Sequence, residues 1–403
     1  MERREFINKT LLAGLSVPIL NNSVLKAGPV YANSLSTPGN RGLMKYRFGV
    51  NYTPSEYWWY CWSDFNEDSI SRDLDVIASL SVDHIRIMLI WTFFQPDPSW
   101  VSPVHLERLD RLLALAGQRN LDVCVSMLVG HLTNQNFKQG YENGSFFSNP
   151  DMLEAEKLYF TEVSKVCTRH SNFMGFDLGN ELNCCWRAEN SNEGDKWFGM
   201  MMDICENLAP ASVHVNGVDH QPWFHSATFS PSVLAKRQKI IALHAWIKYT
   251  GALDRGGALG KQSIDLAAAM AALARAYAGD PQKPVWIQEY GASEEWMKVE
   301  EIPVFCEKAT LSAIKSGVNW FTWWASHDIR PKFKVSPLEY SLGLITVDNK
   351  IKEQGKVFKS IAEHYRGKNV MAPSSQENFK LPPAVHSDQA TWEWLENWIN
   401  KNT

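Results

Sequence analysis

Apolar positions along the chain follow two alternating rhythms. Short runs rich in β-branched and aromatic residues recur, and between them apolar residues return every three or four positions. The short runs predict strands at 46–52, 84–91, 121–129, 173–180, 213–217, 239–246, 284–290 and 318–324. The intervening periods predict helices, such as 68–80 with Ile70, Leu74, Ile77 and Leu80, and 106–119 with Leu109, Leu112, Leu113 and Ala116. Strands alternating with helices in this way predict the α/β class and a single (β/α)8 TIM barrel over 45–367. The fifth unit has the thinnest pattern, because 219–237 reads as loop and short helix. A two-domain doubly wound arrangement is the structural alternative, but no Gly-rich phosphate loop follows the first strand.

The two ends read differently. Arg3 and Arg4 precede an apolar run from Leu11 to Leu20, and Val30-Tyr31-Ala32 forms a small-residue cleavage site. This order predicts an export signal over 1–32, of a twin-arginine-like type although Glu5 departs from it, and hence a periplasmic or secreted protein. The run is broken by Pro18 and is too short for a bilayer core of roughly 30 Å, so no stable membrane span is expected. A polar linker covers 33–44. The tail over 368–403 carries Pro373, Pro382 and Pro383, then Trp392, Trp394 and Trp398. It is too short for a further domain and is expected to pack on the outside of the barrel, with a small sugar-binding appendage as the alternative.

Composition narrows the function classes. Apolar residues make up 45% and charged residues 21% of the chain, which is ordinary for a folded soluble domain. The formal charge is −4, and removing the signal takes away four basic and two acidic side chains to leave −6. No basic block could neutralise a run of phosphates, so nucleic acid is not an expected partner. The seven cysteines are scattered and odd in number, which implies neither a disulfide framework nor a metal site, and Cys184-Cys185 are expected as free thiols, with a vicinal disulfide as the alternative. No pattern in the chain specifies an oligomeric state. The 17 tryptophans stand out, and either a Trp-rich core or sugar-stacking surfaces would account for them.

In a barrel of this kind the working groups sit at the C-terminal ends of the strands. The fourth strand ends Gly179-Asn180-Glu181, and the seventh ends Gln288-Glu289-Tyr290. Two carboxyls brought to one mouth can flank a glycosidic bond. Each glutamate alone is more often a salt-bridge or capping residue; the combination carries the reading.

These residues extend into blocks that resemble glycoside hydrolase family 5. They include Gly49-Val50-Asn51-Tyr52, Asp83-His84-Ile85-Arg86, Gly130-His131-Leu132, Gly179-Asn180-Glu181, His244-Ala245-Trp246, Trp286-Ile287-Gln288-Glu289, Thr322-Trp323-Trp324 and Glu339-Tyr340-Ser341-Leu342. The blocks are similar to a bacterial subgroup with β-mannosidases acting on the Manβ1-4GlcNAc disaccharide of N-glycan cores. The resemblance implies a retaining enzyme without a cofactor or metal, with an oligosaccharide as its partner, in which Glu181 is the acid/base and Glu289 the nucleophile. It implies that Arg86 lies beside Glu289, that Asn180 bonds the 2-hydroxyl of the sugar, and that His131 and His244 line the opening. Trp324 is expected as the sugar platform, Trp91 as a lesser one, and Asn51 and Tyr290 as further substrate-binding residues. Trp246 stands where much of the family has a tyrosine. The aromatic stretch 57–62 is expected as a wall of the sugar site or a packed lid. An endo-β-1,4-mannanase or glucanase, a transglycosylase using the same residues, and a non-catalytic glycan-binding barrel are the alternative readings.

Overall fold

The structure, a computed structural model, describes residues 42–133, 135–225, 227–372 and 387–402. The export signal and most of the linker lie outside the described residues. Eight parallel strands carry the fold: β1 (Arg47–Asn51), β2 (His84–Ile90), β3 (Asp122–Val129), β4 (Phe173–Asn180), β5 (Val215–Gly217), β6 (Ile241–His244), β7 (Val285–Tyr290) and β8 (Trp320–Trp323). They form a nearly closed TIM barrel whose ladder runs β5-β4-β3-β2-β1-β8-β7-β6. Where β5 and β6 meet, a side chain stands in for a ladder partner: the Asn216 N–H donates to Gln238 Oε1 at 3.0 Å. This opening is why the fifth and sixth strands are shorter than their apolar runs.

Burial on both faces explains why the strands read as nearly continuous apolar runs. All seven residues of β2 are buried. Ile85 and Ile87 alternate with His84 and Arg86, whose side chains bond to residues of β8, β4 and β7 inside the barrel. The lower interior is filled by Cys124, Met174, Val215, Ala242, Trp286 and Trp320. Below it Arg47 pairs with Asp83 and Asp122 and lies over the Trp320 ring. Helices follow where caps start them. Asn66 accepts from the Ser69 N–H ahead of Glu67–Ser79, and Asn149 caps Pro150–Cys167.

The C-terminal helix Asp388–Asn402 lies against the chain after β5 and β6. The Trp392 indole donates to the Thr250 carbonyl at 2.7 Å and the Thr391 hydroxyl to that of Phe224 at 2.9 Å. Among the described residues, no helix is long and apolar enough to cross a membrane.

Gly175 in β4 lets two strands approach: a Cβ there would overlap the Val213 carbonyl oxygen just ahead of β5. Because this contact is backbone against backbone, Gly175→Ala is expected to cost about 1–3 kcal/mol. A denaturant titration should show a lower midpoint with an unchanged slope.

Candidate active site

Two local departures from regular strand geometry build the mouth of the barrel. Glu181, one residue past β4, takes a left-handed backbone conformation (φ 47°, ψ 49°), and its N–H donates to the Gly217 carbonyl at 2.7 Å. A non-glycine residue held in this region stores strain that the surrounding contacts must oppose. In β7 the register slips, so that Leu243 faces Ile287 while His244 faces Glu289. The slip breaks the alternation expected of a strand. Gln288 meets His244 inside the barrel, and its neighbour Glu289 reaches Arg86 there as well.

Arg86 is fully buried and organises the interior. Its Nε and Nη2 donate to Asp177 Oδ2 at 2.9 and 2.7 Å, Nη1 to Glu289 Oε1 at 2.6 Å and to Asn51 Oδ1 at 2.9 Å, and Nη2 to Asn180 Oδ1 at 2.9 Å. Asp177 also accepts from the Ser126 hydroxyl and the Gly217 N–H, both at 2.7 Å. Gly217 makes room for this layer, since a Cβ there would meet Gln288, Arg86 and Asp177.

Above the arginine, Glu181, Glu289 and His244 offer atoms within 4.8 Å of one another. His244 Nδ1 lies 2.8 Å from Glu181 Oε1 and 3.3 Å from Glu289 Oε2, so one ring nitrogen stands between the two carboxyls. Its Nε2 meets the Gln288 side-chain amide at 3.1 Å. Burial lowers the imidazole's pKa, which favours the neutral ring. The trio is compact enough for a cation, but the Arg86 charge already bonded to Glu289 opposes one.

The two carboxyls have different surroundings. Glu181 is pushed up to about 7, first by burial and then by the nearby Asp219 carboxylate. Glu289 is also raised by burial, with His244 and Arg86 pulling it back. Arg86 therefore limits the rise without reversing it. The Trp246 indole donates to Glu289 Oε2 at 3.2 Å, adding a second bond to the ionised form.

A cavity of about 270 Å³ opens over this pair. Of the residues singled out from sequence, His131, Asn180, Glu181, Trp246, Glu289 and Trp324 line it. Arg86, Asn51 and His244 lie one layer below. Asn51 bonds Arg86 and donates to the Gln288 carbonyl at 3.0 Å, so it braces the floor and is not itself a lining residue. Two further residues expected at the sugar site stand away from it. Tyr290 points away from the cavity, its hydroxyl 2.9 Å from Thr310 and its ring edge-on to Trp323, because the slip in β7 sends it to the helical side. Trp91 is fully buried among Phe146, Tyr159 and Trp186, its indole donating to Gln95. The aromatic stretch 57–62 is packed: Trp59 backs Trp324 and donates to Thr133, which lines the cavity, while Trp62 donates to the Met88 carbonyl.

Residues with no role expected from sequence complete the site. Asp219, Tyr249, Trp296 and Glu339 line the cavity, and Asp177 and Gln288 hold its floor. Asp177 and Gln288 carry a readable signal, since each is a polar residue inside a buried strand. The other four come from loops without a period. Cys184 also lines the cavity, with Sγ 3.4 Å from Asp219 Oδ2, and both it and Cys185 are free thiols.

No protein-family model and no curated protein matches the chain. Solved structures do. A GH5_18 enzyme from Streptomyces cattleya, crystallised as a Glu-to-Ala variant with Manβ1-4GlcNAc, is 28% identical with a TM-score of 0.81, over 88% of this chain and 91% of its own. A GH5_18 enzyme from Bifidobacterium longum subsp. longum, also a Glu-to-Ala variant with Manβ1-4GlcNAc, is 27% identical with a TM-score of 0.80, over 89% of each chain. In fold and in sequence the chain is similar to these family 5 glycoside hydrolases. The chain also shares its fold with an exo-β-1,4-mannosidase from an Opitutaceae bacterium, at 23% identity and a TM-score of 0.70, over 79% of this chain and 59% of that one.

Asp219→Asn removes a like charge near Glu181. A carboxyl-carbon NMR titration should find Glu181 near 7 in the wild type and lower in the variant.

Proposed function

We propose that this protein is an exported, retaining β-mannosidase of glycoside hydrolase family 5 that releases the terminal mannose of Manβ1-4GlcNAc from N-glycan cores. The observation that carries the retaining reading is the carboxyl pair: Glu181 and Glu289 offer oxygens within 4.8 Å of each other across one mouth. Retaining glycosidases need a separation of about 5–5.5 Å, too short to admit a water between the carboxyls.

In this reading Glu289 Oε2 attacks the anomeric carbon while Glu181 gives its proton to the departing oxygen. The bond to the leaving sugar breaks and a covalent mannosyl-enzyme forms. Water then attacks the same carbon as Glu181 takes its proton, and Glu289 leaves as a carboxylate. Glu181, raised to about 7, holds the proton it must give near neutral pH. Arg86 and Trp246 hold Glu289 in place and stabilise its anion. His244, between the two, holds the carboxyls in position. Asn180 lines the cavity beside Glu181, where it can bond the 2-hydroxyl, and Trp324 offers an indole face to the ring.

The cavity, at about 270 Å³, lies near the small end of the roughly 300–1,000 Å³ range of ligand pockets, which favours a short saccharide over a long chain in a cleft. Manβ1-4GlcNAc is the ligand in both the Streptomyces and the Bifidobacterium complexes. Export rests on Arg3, Arg4 and the apolar run that follows.

Incubation with Manβ1-4GlcNAc is expected to release mannose, seen first as the β-anomer by NMR, while a linear β-1,4-mannan oligosaccharide is not cut internally. Internal cuts alone, or an α-anomer formed first, would overturn the exo or the retaining reading respectively. Glu289→Ala should abolish turnover, and Glu181→Ala should slow release of GlcNAc by about 10²–10⁴-fold. For export, Arg3→Lys together with Arg4→Lys should keep the protein in the cytoplasmic fraction; unchanged export would rule out the twin-arginine route.

A further inference from the structure

The pocket holds a carboxyl to which the reaction above gives no task. Glu339 lies in the short turn Pro337–Ser341 beyond β8, and the turn is pinned in place. Ser293 Oγ donates to the Leu338 carbonyl at 2.9 Å, the Tyr340 hydroxyl donates to that of Phe333 at 2.9 Å, and the Glu339 N–H donates to that of Ser336 at 3.0 Å. The side chain is turned inward, and the residue is 7% exposed. It lies beside Trp324, the proposed sugar platform, which pulls its pKa down, and lines the same cavity as Glu181 and Glu289. Its Oε2 is buried without a hydrogen-bond partner.

Buried polar atoms without partners are rare in folded proteins, and one that faces a ligand cavity is matched when the ligand binds. A sugar ring, with hydroxyls around its edge, supplies such a match. We propose that Glu339 is a sugar-binding residue whose Oε2 hydrogen-bonds one hydroxyl of the ring held against Trp324, in the pocket it shares with Glu181 and Glu289. The proposal rests on the glycosidase reading of that pair. Burial, followed by the neighbouring Glu289 and Glu181, pushes Glu339 up to about 8. At neutral pH it is therefore mostly the neutral acid, able to donate through its O–H and to accept through its second oxygen. A third anion beside the catalytic pair is avoided, and the hydroxyl is bonded without one.

The test compares wild type, Glu339→Ala and Glu339→Gln on 4-nitrophenyl β-mannoside and on its monodeoxy analogues. On the parent sugar Glu339→Ala is expected to lose about 10-fold or more in kcat/KM, because a bond to the substrate is removed. Glu339→Gln, which mimics the neutral acid, should keep most of the activity below pH 7. On the analogue lacking the bonded hydroxyl, wild type and Glu339→Ala should differ by less than about 2-fold, since there is no bond left to lose. An equal loss on every analogue means that Glu339 acts only by holding Trp324, and it overturns the proposal. If wild type cleaves no mannoside, the glycosidase reading fails first. Calorimetry with mannose, glucose and N-acetylglucosamine then decides on Glu339. A roughly 10-fold weaker affinity in Glu339→Ala for a sugar that wild type binds supports the contact; equal affinities, or no binding by wild type, remove it.

Discussion

One buried cation organises the working end of the barrel. Taking an arginine out of water costs several kcal/mol unless its charge and its donors are all met. Arg86 meets this demand inside the barrel, where Asp177 accepts two of its bonds and Glu289, Asn51 and Asn180 each accept another. These partners come from three strands, so the guanidinium, itself carried by β2, ties β1, β2, β4 and β7 together directly beneath the mouth. Gly217 on a fifth strand leaves the volume that this layer occupies. With its only direct contact to a pocket carboxyl made to Glu289, Arg86 also breaks the equivalence of the two glutamates.

That asymmetry is what the chemistry requires. Two carboxyls in equivalent surroundings, a few ångströms apart, would compete for one proton with neither role assigned. Here Glu181 faces the Asp219 carboxylate and Glu289 faces Arg86, while the neutral His244 bridges them. The strained backbone at Glu181 and the slipped register at β7 are the mechanical side of the same arrangement. Each aims a carboxyl in a direction that a regular strand would not.

The tryptophans show how composition and position diverge. Trp59, Trp62, Trp91, Trp197, Trp223, Trp286, Trp320 and Trp323 are almost wholly buried, and Trp246, Trp296 and Trp324 line the cavity. Both accounts of the Trp count are thus partly correct, and the core takes the larger share. Trp324 and Trp323 are neighbours that part company because consecutive residues of a strand face opposite sides. Trp91 ends the apolar run of β2, yet its turn carries the ring outward under the helices.

The chain by itself determined the barrel, because the alternation of period-two and period-3.6 burial leaves few other ways to cover eight parallel strands. It determined Glu181 and Glu289 for the same reason: strand ends in a barrel converge on one opening, so position along the chain translates into position in space. Tertiary structure decided what local pattern does not encode. Whether Tyr290 faces the sugar or the helices depended on a slip of register against β6. Asp219, Tyr249, Trp296 and Glu339 entered the pocket from loops whose paths are set by contacts with distant residues, as the Ser293 bond to Leu338 is for Glu339. The upward shift of Glu181 and Glu339 arose from burial and from neighbours remote in the chain, which have no counterpart in the local sequence around either residue.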